Sequence, residues 1–522
     1  MTLSCSGIKH ARMGGSGIGK TWLSTLAIAF SNFAIQYNFG SIAIALLMMS
    51  DAVCTQKDAS LCRKGEQQSW VQGTSSSVIF VGAVIGQLVM GRLGDLIGRN
   101  KALLVTTGIA TVAAALQAIA PVGSPSSIYA VIILFRFFLG VGVGGVYPLS
   151  ATKAVEDAGG GPATEEDEKE SESHASKTKG AVASAIGFFW QMPGMMGPYF
   201  VSLGLANSPA GAFSIDTQWR LLLGLGAVPS AITMICLALE LHYQCPVQTA
   251  PAGAEKVDDV IPRPTQPLQL TSLEIVKMIY SDAGVRRKLA ATGLCWFFFD
   301  VLNYGIGLIS PEILAKITHD TGDITSAASI RELSTLTLGT MALSFPGTLL
   351  TIYLLPSLGI KRLQVWGFAI LASFCLLLGC VFQPLANDEQ ALFGIYCLVC
   401  IAMSFGIAVS TYTLPALVFE RDKRATMNGV CAAMGKCGAV VGSYSFGSIA
   451  RSSSSGFTIV LLLCFASASV STVISQVYID VPLPVLSCCS SSTSPHSPSS
   501  NEEADESLSV SEIEVISVIH DN

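Results

Sequence analysis

Three charged residues stand where apolar sequence leaves little room for them. Arg136 lies inside the run Ile128–Leu149, IYAVIILFRFFLGVGVGGVYPL, Asp300 inside LCWFFFDVLNYGIGL, and Lys436 inside GVCAAMGKCGAVVG. A charge at the centre of a bilayer costs roughly 2.5–3.5 kcal/mol on insertion scales, so such a group faces a polar cavity and a partner. Two buried cations and one buried anion point to a central site that holds an anion. Trp296, Asp300 and Tyr304 are spaced four apart and share one helix face, with Asn303 beside them. An aromatic stripe alone would be packing; packing does not require Asp300.

The elements that must position these residues are membrane helices. The chain has 522 residues, 51% hydrophobic and only 13% charged, with mean hydropathy +0.56. Soluble domains carry about a quarter charged residues, so composition excludes a soluble enzyme. The net charge of −6 says little about partners, because the acids cluster in loops and tails; no nucleic acid, cofactor, metal or catalytic set is called for. A spanning helix needs about 20 apolar residues, and twelve such stretches are expected. They run Leu23–Met49, Trp70–Met90, Leu103–Ile119, Ile128–Leu149, Ala181–Leu205 and Leu221–Leu241. After a polar gap follow Leu289–Ile309, Leu333–Leu355, Leu363–Val381, Leu392–Val418, Met427–Ile449 and Phe457–Val477. The fold class expected is an all-α membrane protein, with twelve transmembrane helices in two six-helix halves.

The segments divide as residues 1–22, a half over 23–241 with an acidic insertion at 153–179, a linker over 242–288, a half over 289–480, and a tail over 481–522. Lysine and arginine concentrate in one set of short loops, at Arg92, Arg99, Lys101, Arg286, Arg287, Lys288, Lys361, Arg362, Arg421, Lys423 and Arg424. Positive residues stay on the cytosolic side, so both termini are expected there. No short apolar region with a cleavage site precedes the first helix, so that helix reads as a retained anchor. A plasma-membrane location is expected, an endomembrane being the alternative.

The insertion (GGGPATEEDEKESES) lacks apolar residues to bury and reads as disordered, as does the Ser-rich, then acidic tail, while the linker carries a Pro-rich stretch (IPRPTQP) before an amphipathic segment. Most of the fifteen cysteines lie in apolar helices as small hydrophobes. Cys54 and Cys62 share a far-side loop, where a disulfide and two free thiols are nearly equal readings. Cys488 and Cys489 sit where S-palmitoylation acts. Gly14–Thr21, GGSGIGKT, fits the phosphate-loop pattern residue for residue. That mechanism needs a buried strand before the loop; SCSGIKHARM cannot supply one, so a flexible basic segment is the better reading.

The two halves echo each other. GRLGDLIGRNK, Gly91–Lys101, lies between the second and third helices, and PSLGIKRLQ occupies the matching loop six helices later. Repeats of six helices, with a substrate site between the halves, build the major facilitator transporters. GRLGDLIGRNK resembles that superfamily's gating loop, here Gly91, Asp95, Gly98 and Arg99. Within it the chain resembles the eukaryotic proton-coupled inorganic phosphate transporters, through GVGVGGVYPLSATKAVE (Gly140–Glu156), WFFFDVLNY (Trp296–Tyr304) and LPALVFERDKRATMNGVCAAMGKCGAVVG (Leu414–Gly442).

The resemblance implies that Tyr147, Gln191, Trp296, Asp300 and Tyr304 line a phosphate site, with Arg136 and Lys436 supplying positive charge. Hydroxyl, amide and indole donors suit an oxyanion with acceptors all round. Gly140, Gly142, Gly144 and Gly145 read as close helix packing. The chain departs from the family where acids are expected: Val146 before the tyrosine, Asn38 in the first helix, and Leu417 in the tenth. Ala408 replaces a binding asparagine. Asp300 is then the only deep carboxylate and the coupling site. The function implied is alternating-access transport of inorganic phosphate with a coupling cation, a proton or else sodium. The alternatives are an organic phosphate as substrate, a facilitative carrier or exporter, and a phosphate sensor.

Overall fold

The computed structural model describes residues 16–54, 62–63, 66–67, 69–159, 174–209, 212–244, 271–318, 327–385, 388–453 and 455–479. Five helices open the chain: α1 Ser16–Cys54, α2 Ser69–Ile97, α3 Arg99–Ile119, α4 Pro125–Ala158 and α5 His174–Phe189. Then come α6 Gln191–Ala206, α7 Ile215–Gly224 and α8 Ala227–Gln244. Two short helices, α9 Ser272–Ser281 and α10 Ala283–Leu289, lead through a π-helical turn, Ala290–Leu294, into α11 Cys295–Thr318. The chain continues with α12 Ala327–Ala342, α13 Ser344–Val381, α14 Glu389–Ser404, α15 Ile407–Val418, α16 Arg424–Ser452 and α17 Gly456–Tyr478. The described strands are two residues each, Cys62–Arg63 paired antiparallel with Glu66–Gln67.

Nine described stretches are long and apolar enough to span a bilayer, and one of them, Ile330–Val381, is 52 residues long, enough for two passes. The other two passes are the broken α5–α6 and the glycine- and serine-rich α16. This is the twelve-pass, all-helical architecture expected. Its surface is inverted relative to a soluble protein: Val112, Phe200, Ile235 and Val473 face outward, while Gln87, Gln117, Asn38, Arg136 and Lys436 are buried. With twelve passes, α1 begins and α17 ends on the same face, here the end face; the opposite one is the far face.

Each break has a local cause. Gly98, at φ +91°, makes the turn between α2 and α3, a conformation that only glycine adopts without steric cost. Gly359 (φ +75°) bends α13 between its two passes, and Gly406 (φ +76°) separates α14 from α15. Ser124 caps α4 by accepting from Ser127 N, with Pro125 in its first turn. Thr271 and Glu274 close a capping box on α9, and Asp282 caps α10.

Glycines set how closely the helices pack. A Cβ on Gly140 would lie 2.1 Å from the Ile79 carbonyl oxygen, and one on Gly144 2.5 Å from Ala83 Cα, so α2 and α4 meet backbone to backbone. The second half repeats the device: a Cβ on Gly438 or Gly442 would meet the carbonyl oxygens of Phe297 or Val301 at 2.1 and 2.2 Å.

Two segments differ from the sequence reading. Residues 153–158, assigned to the insertion, continue α4. Lys153 is buried and bonds Glu240 at 3.0 Å, which holds that last turn in place. Residues 16–21, inside the phosphate-loop match, are helical, so they form no loop that could cradle a phosphate. The side chains of Cys54 and Cys62, and all of Cys488, Cys489 and the tail, lie outside the described residues.

Candidate functional site

The charged centre is built by two helices. Trp296, Asp300 and Tyr304 fall on one face of α11, and α16 brings Lys436 against it. Lys436 Nζ donates to Asp300 Oδ2 at 2.8 Å and to Tyr304 Oη at 3.0 Å. Both charged side chains are almost wholly buried, at 1% and 3% exposure. The glycines around the lysine explain this fit. A Cβ on Gly435 would sit 2.5 Å from Trp296 Cδ1, and the Gly438 contact with the Phe297 carbonyl brings the helices together. Lys436 Nζ also lies over aromatic faces, 4.4 Å from the Tyr304 centroid, 4.8 Å from Tyr147, 5.4 Å from Phe39 and 6.0 Å from Phe80. Such cation–π contacts stabilise a desolvated ammonium by about 2 kcal/mol or more.

The first half closes over this pair with neutral groups. Tyr147, on α4, stands with its ring centroid 6.0 Å from that of Trp296. Gln36 Nε2 donates to Gln191 Oε1 at 2.9 Å and to Tyr147 Oη at 3.3 Å. Gln191 Nε2 in turn donates to Asn32 Oδ1 at 2.8 Å. Across the halves, Ser150 and Tyr412 hydroxyls meet at 2.8 Å, and those of Ser184 and Thr413 at 3.1 Å. The structure thus gathers Tyr147, Gln191, Trp296, Asp300, Tyr304 and Lys436.

It does not bring Arg136 to them. That guanidinium donates to the backbone carbonyls of Ser75 (2.7 Å) and Asn38 (3.5 Å) within the first half. At 1.5 Å per residue, its Cα is about 16 Å along α4 from that of Tyr147. Arg136 and Asp300 are not partners: the carboxylate belongs to Lys436.

Sequence reasoning missed Asn32, Gln36, Tyr412, Phe39 and Phe80. Asn32 and Gln36, four apart in an apolar helix, carried a readable signal: buried amides require partners. The aromatics carried none, since a phenylalanine in a membrane helix faces lipid as often as a cavity.

At the end face a second constellation joins the halves. Asp95 accepts from Ala425 N (3.2 Å) and Thr426 N (2.7 Å), capping the start of α16 from the other half. Arg99 pairs with Asp95 and Glu156, each at 3.0 Å, and donates to the Arg421 carbonyl at 2.9 Å. Arg424 reaches Glu156 at 3.4 Å. A Cβ on Gly91 would lie 2.6 Å from the Ala425 carbonyl oxygen, so Gly91 permits close approach while Gly98 supplies the turn. At the far face, the described residues that bridge the halves include Ser202 and Ser334, whose hydroxyls meet at 3.1 Å, and Arg331, which donates to the Ala206 carbonyl at 3.2 Å. Among the described residues, no group of three or more His, Cys, Asp or Glu side chains gathers to hold a metal ion.

Comparison with known proteins agrees with this architecture. Residues 24–482 match the sugar (and other) transporter family. The inorganic phosphate transporter PT2 of Toxoplasma gondii is 30% identical over 461 residues, 88% of this chain and 72% of that protein. The repressible high-affinity phosphate permease of Neurospora crassa is 29% identical, with 69% and 67% covered. Among solved structures, the xylose transporter XylE from E. coli in a partially occluded inward-open conformation superposes with TM-score 0.60 at 15% identity, over 89% of this chain and 98% of its own. The E. coli fucose:proton symporter FucP gives 0.58 at 13%, over 88% and 99%. These two likenesses are of fold. The chain is a multi-pass membrane transporter of the major facilitator superfamily, belonging to the sugar (and other) transporter family together with the inorganic phosphate transporters.

Proposed function

We propose that this chain carries inorganic phosphate across a membrane by alternating access, coupled to proton movement. The observation that carries the reading is the Lys436–Asp300 pair, buried where the two halves meet and ringed by hydroxyl and amide groups. A buried ion pair with one partner removed is destabilised by about 3–5 kcal/mol, so the lysine and the carboxylate are tied to each other's state. An incoming phosphate competes with Asp300 for Lys436. Where the anion takes the ammonium, the carboxylate is left buried without its counter-charge, and taking up a proton relieves that cost. Anion arrival and proton uptake are thereby linked in one site. Tyr304, Tyr147, Gln36 and Gln191 supply the remaining donors, and Trp296 walls the site.

Coupling is needed in this reading because an inside-negative potential opposes anion entry by about 2.3 kcal/mol per charge per 100 mV. With Asn38, Val146 and Leu417 in place of acids, Asp300 serves as the single acceptor, for a proton first and sodium second. The end face is taken as cytosolic from its lysines and arginines, which puts both termini in the cytosol and fits a plasma-membrane carrier. Asp95 and Arg99, with Gly91 and Gly98, then form the cytosolic gate, and the far-face bonds the outer one. The names of the phosphate-transporting relatives support the substrate.

Radiolabelled phosphate uptake into proteoliposomes with an imposed pH or sodium gradient tests the reading. Accumulation driven by the proton gradient is expected. Phosphate binding with no steady flux would replace the carrier with a sensor.

A further inference from the structure

Arg136 is a buried cation that pairs with no carboxylate among the described residues. Its side chain is fully buried, and its two hydrogen bonds go to backbone carbonyls. Every ion-paired carboxylate described in the same half is engaged elsewhere: Asp95 and Glu156 with Arg99, Asp157 and Glu240 with Lys153, and Asp216 with Arg220. Two donors beside this charge lack a partner, Arg136 Nη2 and Ser75 Oγ. Ser75 also supplies the carbonyl that accepts from Arg136 Nε, so the hydroxyl and the guanidinium share one locale. Asn38 Oδ1 is unpartnered too, but a Cβ on Gly226 would lie 2.1 Å from it, so it is packed against that backbone. Its amide nitrogen is spent on the Ala34 and Gly226 carbonyls.

A desolvated guanidinium whose charge is met only by carbonyl dipoles carries a penalty of several kcal/mol. Water would satisfy the hydrogen bonds but not the charge. We propose that Arg136 Nη2 and Ser75 Oγ bind a small resident inorganic anion of the halide class inside the first half. This site is separate from the one at Lys436, and its anion is a structural counter-ion and not cargo.

The test is thermal unfolding of the full-length protein in nanodiscs, in sodium gluconate titrated with sodium chloride, with saturating phosphate present throughout. The wild type should gain several degrees in midpoint along a saturating curve. Ser75→Ala should fold and need several-fold more chloride for half the gain. Ser75→Asp places a carboxylate in the locale shared with the guanidinium; it should raise the midpoint in gluconate and erase the chloride increment. A wild type indifferent to chloride, or a folded Ser75→Asp variant that keeps the full increment, overturns the proposal. So does an increment seen only without phosphate, which would put the chloride at Lys436.

Discussion

Arg136 in the first half and Lys436 in the second are both buried in apolar helices, and the two are held differently. Lys436 in the second half has a carboxylate at 2.8 Å and four aromatic faces within 6.0 Å. Arg136 in the first half has two backbone carbonyls. A charge facing a charge can be exchanged: an arriving anion or proton trades places with a partner already there. A charge facing main-chain dipoles has no protein group to trade, because mid-helix carbonyls do not titrate. On the proposed reading, the contrast puts the coupled exchange of phosphate and proton in the second half and leaves the first half to shape and line the cavity.

The largest expected effects come from cutting the Lys436–Asp300 pair, and the two cuts should differ in kind. Lys436→Gln removes a charge-assisted hydrogen-bond donor worth about 1.5–3 kcal/mol, so phosphate affinity should fall about 10- to 100-fold in equilibrium binding to the purified carrier. Asp300→Asn removes the group that competes with phosphate. Affinity should hold, and phosphate–phosphate exchange across liposomes should persist, while accumulation against a gradient is lost. Accumulation that survives in Asp300→Asn would remove the carboxylate from coupling and undo the contrast between the halves.

An intermediate effect is expected at the end face, where the halves meet through charge. Asp95→Ala removes the cap on α16 and its pairing with Arg99. Losing a cap costs about 1 kcal/mol, which should shift the balance between inward- and outward-facing populations about fivefold. Cysteine accessibility from the two sides of a liposome would read that shift. Gly91→Ala should act in the same direction by pressing on the Ala425 carbonyl. Equal accessibility in the variants and the wild type would show that the bonds bridging Asp95 to α16 do not hold this face shut.

How much of this was legible in the sequence varies by residue type. Asp300 and Lys436 could be read because charge in an apolar run has few explanations, and four-residue spacing put Trp296 and Tyr304 on the same face. The twelve passes followed from apolar length alone. The breaks at Trp190 and at the π-helical turn did not, since they depend on how one helix seats against its neighbours. The destination of Arg136 was hidden as well. Sequence says that a buried arginine needs acceptors, but not whether carbonyls or a carboxylate supply them. Gln36 was readable as an amide in need of a partner, but its partner was hidden: nothing in α1 says that Gln191 waits opposite.

The smallest effects should come from the neutral side of the cavity. Gln36 and Gln191 hydrogen-bond each other, and Gln36 also reaches Tyr147. Neutral hydrogen bonds contribute about 0.5–1.5 kcal/mol each, so Gln36→Ala and Gln191→Ala should each weaken phosphate binding only about two- to tenfold. Because they share a bond, their effects should not add: the double variant should lose less than the product of the single losses. Neither should alter the dependence of uptake on the pH gradient, since neither touches Lys436 or Asp300. A Gln36→Ala variant whose uptake no longer follows the gradient would show that protons pass through the first half after all. The amide row at Asn32, Gln36 and Gln191 would then be a proton path and not a lining.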